Sequence, residues 1–260
     1  AAVASLSAYV TIKALIDTAL DREMPKVMEK ADKRISGEKS SDEFTNRMES
    51  ASESLAVQPN ETVEIIAHDG EKLVGHYFPC EKPERVIIAF HGWRSSWHRD
   101  FGMISDFWYK NNCSVLYVEQ RGQNNSSGEY MGFGLTERFD CLDWLNWEIE
   151  RCGSDIPVYL AGVSMGATTV LMAAGLQLPP NVHGIMADCG FTSANAIWEH
   201  IAKDNLHIRF GIRSAIADRM CRRKIQVGSK EHSTVEALKH THVPVILVHG
   251  ADDHFVPVEM

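Results

Sequence analysis

Cysteine is sparse and scattered. The six thiols, Cys80, Cys113, Cys141, Cys152, Cys189 and Cys221, form no C-x-x-C pair in 260 residues. That excludes the disulfide framework of a small secreted domain and reads as free thiols in a reducing, cytoplasmic setting. Basic residues are also in short supply, 26 against 35 acids, for a net charge of −9. A footprint for nucleic acid or an anionic membrane is therefore missing. Long apolar runs are missing too. "AAVASLSAYVTIKALIDTAL" is broken by Lys13 and Asp17, and the stretch between charges is too short to span a bilayer. It has no basic n-region followed by a cleavage site, and no initiator Met. Membrane association is thus expected only through a segment removed upstream.

What is present is an ordinary globular composition, 44% apolar and 23% charged. Residues 1–58 read as a helical extension. Tyr9, Ile12, Leu15, Ile16 and Leu20 recur at helical spacing, "SGEKSSDEF" is a polar break, and "FTNRMESASESLAV" predicts a second short helix. Residues 59–260 read as one α/β domain. "ETVEIIAHDGEKLVGHYFPC" predicts two strands around Asp69-Gly70. Apolar strands and amphipathic helices then alternate through "RVIIAFHGW", "SVLYVEQRG", "PVYLAGVSMG", "VHGIMADCG" and "VPVILVHG". Strands that are continuously apolar predict a mostly parallel sheet covered on both faces. About 191–242 shows helical character and no strand, longer than a crossover needs, and is expected to supply a lid.

Ligands of such sheets bind beyond the carboxyl ends of the strands. There the chain places His91-Gly92-Trp93, Glu119 to Gly122, Gly162 to Gly166, Asp188 to Gly190, and His249 to Asp253. Gly162-Val163-Ser164-Met165-Gly166 is G-x-S-x-G between a strand and a helix. A serine on a strained strand-to-helix turn needs both glycines, because a β-carbon at either would strike the neighbouring strand or helix. The turn exposes Oγ at a helix N-terminus, where developing negative charge is favoured. Ser164 is the candidate nucleophile; the alternative is a small-residue helix start with Ser164 as its cap.

This arrangement, from residue 61 onward, resembles the α/β-hydrolase superfamily. Around "VEQRGQNNSSGEYMGFGLTERFDCLDWLNW" it is similar to bacterial hydrolases described as serine-aminopeptidase-like or cephalosporin-deacetylase-like. Those usually read D-x-R-G-H-G-x-S-x-G, whereas this chain has Glu119-Gln120-Arg121, Gln123 and Asn124. Asn tolerates left-handed backbone angles, so the loop is expected to keep its shape, and Arg121 to tie loops together. The resemblance implies the α/β-hydrolase fold and a serine hydrolase that acts on a small carboxylic ester through an acyl-enzyme. No cofactor or metal is implied. "FHGW" resembles the oxyanion loop, which assigns the oxyanion donors to the N–H groups of Trp93 and Met165. His91, Trp97 and Phe191 are expected beside the substrate, His91 as a structural member of the oxyanion loop and the aromatics, with Trp93, as pocket wall or core. "HGADDHFVP" resembles G-x-x-D-x-x-V-P, which assigns the triad acid to Asp253, with Asp252 a solvated neighbour and Asp188 an alternative position.

The superfamily order is Ser, acid, His. Only His254 follows Asp253 here, and adjacent strand-end residues point opposite ways. His98 reaches the site only if its loop folds inward. The expectation is a triad histidine beyond Met260, together with a last strand and helix. The rival readings are an amide or short-peptide hydrolase and a non-catalytic binding protein of the same fold.

Overall fold

Val86, Ile88 and Phe90 alternate along one strand with Ile87 and Ala89, and every one of them is buried. A strand apolar on both faces must lie inside a sheet covered on both sides. The computed structural model describes residues 2–24, 43–205, 207–211 and 213–260 and shows that sheet; the polar stretch over residues 36–42 lies outside the described residues. Its strands are β1 (Glu61–Ile66), β2 (Lys72–Phe78), β3 (Arg85–Phe90), β4 (Cys113–Glu119), β5 (Val158–Val163), β6 (Val182–Asp188) and β7 (Val245–Val248). The order is β1-β2-β4-β3-β5-β6-β7. β1 and β2 form the hairpin expected at Asp69-Gly70 and enter antiparallel, while β4, β3, β5, β6 and β7 run parallel.

The helices are α1 (Ala2–Leu20), α2 (Glu43–Ala56), α3 (Trp97–Lys110), α4 (Glu137–Cys152), α5 (Met165–Ala173), α6 (Ala194–His200), α7 (Arg213–Ile225) and α8 (Thr234–Leu238). On one sheet face Val86, Ile88, Leu116 and Leu160 pack under Trp144 and Leu145 of α4 and Val170 and Leu171 of α5. On the other, Ile87, Ala89, Val115 and Tyr117 pack under Leu55 of α2 and Trp97, Phe101 and Trp108 of α3. A third cluster sits over the carboxyl ends of the strands. It joins α1 (Ile12, Leu15, Ile16, Leu20) to α6 (Ile197, Trp198) and α7 (Ala217, Met220, Cys221).

Helix α1 therefore contributes to the interior through the predicted face, although Tyr9 is 41% exposed. Among the described residues, 191–242 holds helices and one π-helical turn, Ile201–Asn205, and no strand. No described helix is long and apolar enough to cross a membrane.

Candidate active site

β5 ends at Val163 and α5 begins at Met165, so Ser164 alone makes the turn, at φ 52° and ψ −115°. A positive φ in a non-glycine residue is strained and persists only where its surroundings fix it. Here they do. A β-carbon at Gly162 would lie 2.3 Å from the carbonyl of Gly166, and one at Gly166 would lie 1.9 Å from the carbonyl oxygen of Phe90. Strand, turn and helix are packed backbone to backbone, as the G-x-S-x-G spacing predicts. Ser164 N–H donates to the Asp188 carbonyl (2.8 Å), locking the turn to the end of β6.

The loop after β3 abuts this turn: a β-carbon on Gly92 would sit 3.4 Å from Ser164 Cβ. Its amides are unequally committed. Gly92 N–H donates to Asp100 Oδ2 (2.7 Å) and Arg94 N–H to Gln123 Oε1 (2.6 Å). Between them, Trp93 N–H takes no acceptor among the described residues. Met165 N–H, in the first turn of α5, has no intrahelical acceptor either. Trp93 shares a cavity lining with Ser164 and Met165 follows it in sequence, and two N–H groups without a protein acceptor among the described residues suit an oxygen gaining negative charge.

The loop after β4 holds the β3 loop in place. Asn124 keeps the left-handed turn at φ 50°, and its Nδ2 donates to the Ser95 carbonyl (3.0 Å). His91 is fully buried. Its Nδ1–H donates to the Gly92 carbonyl (2.8 Å), and Nε2 accepts the Gln120 N–H (3.2 Å). Burial drives its pKa below the ordinary value, against the opposing pull of the Gly92 carbonyl and Asp100, so it is a neutral brace. That corrects the expectation of His91 beside the substrate: Nε2 is consumed joining the β3 loop to the β4 loop and Nδ1 by the next residue of its own loop, and His91 does not line the cavity at Ser164. Arg121 ties loops as expected, donating to Asp140 on α4 through Nε (2.7 Å) and to Asp69 of the hairpin through Nη1 (2.7 Å). Burial opposes its charge, but the hydrogen bonds it donates to Asp140 and Asp69, with the charge of those carboxylates, outweigh burial and raise its pKa.

A cavity of about 130 Å³ opens at Ser164. Trp93, Phe133, Phe191 and Trp198 form its aromatic side, with Phe133 5.5 Å from Trp198 and 5.8 Å from Phe191 between ring centres. Leu15, Thr18 and Ala19 of α1 and Phe255 close it. Trp97 is elsewhere. It begins α3 and lies under the opposite sheet face, stacked on Tyr117 and His76. The expectation that it walls the pocket is corrected, because helix geometry turns it inward at the first residue. Phe133, Trp198 and the α1 residues were not anticipated. Phe133 carries one visible signal, its place between two glycines in "MGFG"; the others looked like ordinary core.

The acids cluster past β6 and β7. Asp253 Oδ1 accepts the N–H groups of Phe255 (2.9 Å) and Val256 (2.8 Å), and Oδ2 is 4.0 Å from His249 Nε2. His249 Nε2 donates to the Val256 carbonyl (2.6 Å). Asp188 is raised by burial, with His249 pulling the other way. Burial likewise raises Cys189 to about 11, so the thiol nearest the turn stays protonated at neutral pH. Asp253 and His254 border a separate polar hollow with His200, Asp204 and Glu259. His98 is bonded through Nδ1 to Ser52 Oγ (2.9 Å) on α2. Among the described residues, no imidazole hydrogen-bonds Ser164 Oγ.

Solved structures share this architecture. An esterase of Pyrococcus furiosus matches with a TM-score of 0.62 at 20% identity, covering 80% of this chain and 75% of that one. The protein Est1E of Butyrivibrio proteoclasticus, solved with ferulic acid bound, matches at 0.58 and 19%, covering 76% and 82%. This is the α/β-hydrolase fold. An acylaminoacyl peptidase of Pyrococcus horikoshii shares it at 0.55 and 16%, over 79% of this chain and 34% of that one. Among curated proteins, the uncharacterised Bacillus subtilis protein YqkD is 23% identical over 188 residues, 70% of this chain. The match spans 59% of that protein's length. No family model matches the chain. Within the α/β-hydrolase fold, Ser164 occupies the strand-to-helix turn after β5, and the cavity lies between that turn and the helices above the sheet.

Proposed function

We propose that the protein is a serine hydrolase that cleaves a small carboxylic ester through an acyl-enzyme. The observation that carries the reading is the half-buried corner at Ser164: a strained nucleophile position with two uncommitted N–H groups, Trp93 and Met165, close by, at an apolar cavity. Ser164 Oγ attacks the ester carbonyl and gives its proton to an imidazole. The former carbonyl oxygen takes the negative charge between the two N–H groups. As it collapses, the C–O bond to the alcohol breaks and the imidazole returns the proton to the leaving oxygen. Water then repeats the sequence on the acyl-enzyme and releases the acid.

Asp253 is the proposed partner that holds the imidazole in its donor tautomer. Its Oδ2 faces His249 at 4.0 Å and is the oxygen not used by the two loop amides, so it retains accepting capacity. Among the described residues, no imidazole hydrogen-bonds Ser164 Oγ. His91 and His98 are consumed by other bonds, and His254 lines the polar hollow. That same observation favours a second reading, a binding protein of the α/β-hydrolase fold whose serine never reacts. The esterase and peptidase neighbours fit hydrolysis of an ester or an amide; the ester is preferred because no charged group in the cavity would hold a peptide terminus.

Fluorophosphonate labelling of the protein, mapped by peptide mass spectrometry, separates the two. The expected result is one labelled residue, Ser164, with labelling lost in Ser164→Ala and hydrolysis of short p-nitrophenyl esters down by ~10³ or more. A folded protein that leaves the probe unreacted would establish the binding reading.

A further inference from the structure

The cavity beside Ser164 has a wall that is not part of the α/β domain. Leu15, Thr18 and Ala19 of helix α1 close it, opposite Trp93, Phe191 and Trp198. The Thr18 hydroxyl is turned back onto its own helix, donating to the Ala14 carbonyl (2.7 Å). It therefore offers the cavity no free donor. No charged side chain reaches the lining. A charged or hydrogen-bonding group placed there would lose its water and gain no partner, at a cost of ~2–7 kcal/mol for an uncharged polar group and far more for an ion.

The helix is also fastened to the loop that carries the Trp93 N–H. The Trp93 indole Nε1 donates to the Ala19 carbonyl (2.9 Å). Arg94 reaches the carbonyls of Thr18 (3.0 Å), Asp21 (2.5 Å) and Arg22 (2.9 Å). From the far side, Lys224 of α7 pairs with Asp17 (3.1 Å) and with Asp21. The wall is held in place at both edges, so its position sets the depth of the cavity.

We propose that helix α1 is the specificity-determining wall of the site. It limits the acyl half of the substrate to an uncharged, apolar group about the size of a benzene ring. The size follows from the volume. The cavity measures about 130 Å³, and a dry protein cavity of ~150 Å³ holds benzene. A butanoyl, pentanoyl or benzoyl group fits, a long chain meets Leu15, and a dicarboxylic half-ester places a charge against apolar walls. This rests on the serine hydrolase reading for the chemistry, but not for the cavity.

The test uses the same protein with Leu15→Ala, which deepens the cavity, and Leu15→Trp, which fills it. Hydrolysis is measured across p-nitrophenyl esters of increasing acyl length and on a hemisuccinate ester. In the wild type, kcat/KM should peak near four to six acyl carbons and drop by roughly tenfold or more per step once the cavity is full. It should be at least ~10²-fold lower on the hemisuccinate. Leu15→Ala should move the peak to longer chains and Leu15→Trp to acetate, and fluorophosphonate labelling of the wild type reports separately whether Ser164 reacts. Reactive Ser164 with one acyl profile in all three proteins would overturn the proposal and leave the hydrolase reading standing. If Ser164 is unreactive, the hydrolase reading fails, and thermal shift with benzene as the probe decides the wall alone. Stabilisation of wild type and Leu15→Ala but not Leu15→Trp supports it; no stabilisation of any of them overturns it.

Discussion

His91 shows how one residue can invite two expectations, a structural place in the oxyanion loop and a place beside the substrate, of which its contacts match only the first. A histidine in a candidate oxyanion loop invites a role at the substrate, yet its Nε2 joins the β3 loop to the β4 loop, its Nδ1 bonds the Gly92 carbonyl of its own loop, and burial keeps it neutral. That has a pH consequence. Its folded pKa lies below the ordinary 6.5, so in the window between the two values the unfolded chain binds a proton that the folded chain does not. Stability then rises with pH through that window and falls as pH drops below about 6.5. His98 and Asp100, Glu119 and the Gly92 carbonyl all face the ring, and burial still sets the sign. His91→Gln should be less stable at neutral pH, because two loop bonds weaken, and should lose stability less steeply on acidification. Urea midpoints for both proteins between about pH 5 and pH 7.5 check this; parallel profiles would sink it. The elbow glycines were legible because their requirement is steric and local, a β-carbon meeting backbone at 2.3 Å or less. Trp97 was not, since whether an aromatic faces a cavity or a sheet depends on where α3 starts, and its N-cap, Ser96, makes no side-chain capping bond.

Among the elements, α1 is the one whose position sequence reasoning half found. Ile12, Leu15, Ile16 and Leu20 mark a buried face by their spacing, and all four are buried. Nothing in that spacing says the face lies over Ser164, because the bonds from the β3 loop that seat it end on backbone carbonyls, which have no residue signature. Arg94 makes three of them, to Thr18 in the last turn of α1 and to Asp21 and Arg22 just past its end, where the negative end of the helix dipole favours a cation. Arg94→Met keeps the apolar stem and removes the bonds. The expected cost is ~1–3 kcal/mol, concentrated in α1. Hydrogen exchange should speed up across residues 9–20 while β3, β4 and β5 keep their protection. Uniform loss across the sheet, or no change in α1, would mean that Arg94 does not seat the helix.

At the scale of the whole sheet, the described residues edge it differently at its two sides. The β1 side is a hairpin whose outer strand mixes Glu61 and Glu64 with apolar residues, and charges on an outer strand discourage pairing with other chains. The β7 side has no such protection. Ile246, Leu247 and Val248 are 61%, 65% and 54% exposed, and β7 pairs only with β6 among the described residues. Because alternate residues point to opposite faces, both faces of this edge are apolar, and its outer hydrogen-bonding groups form a template for another strand. The alternation of strands and helices was readable from residue 61 onward, whereas exposure at this edge was not. "VPVILVHG" has the same apolar run as the buried β3, and burial on both faces is decided by neighbours that a strand's own residues do not specify. The 260-residue chain should therefore self-associate through β7 as concentration rises. Leu247→Lys places a charge on the edge without touching β6 pairing, and should lower the association measured by sedimentation velocity while leaving thermal stability within ~0.5 kcal/mol. Equal association in both proteins would show that β7 is not the contact.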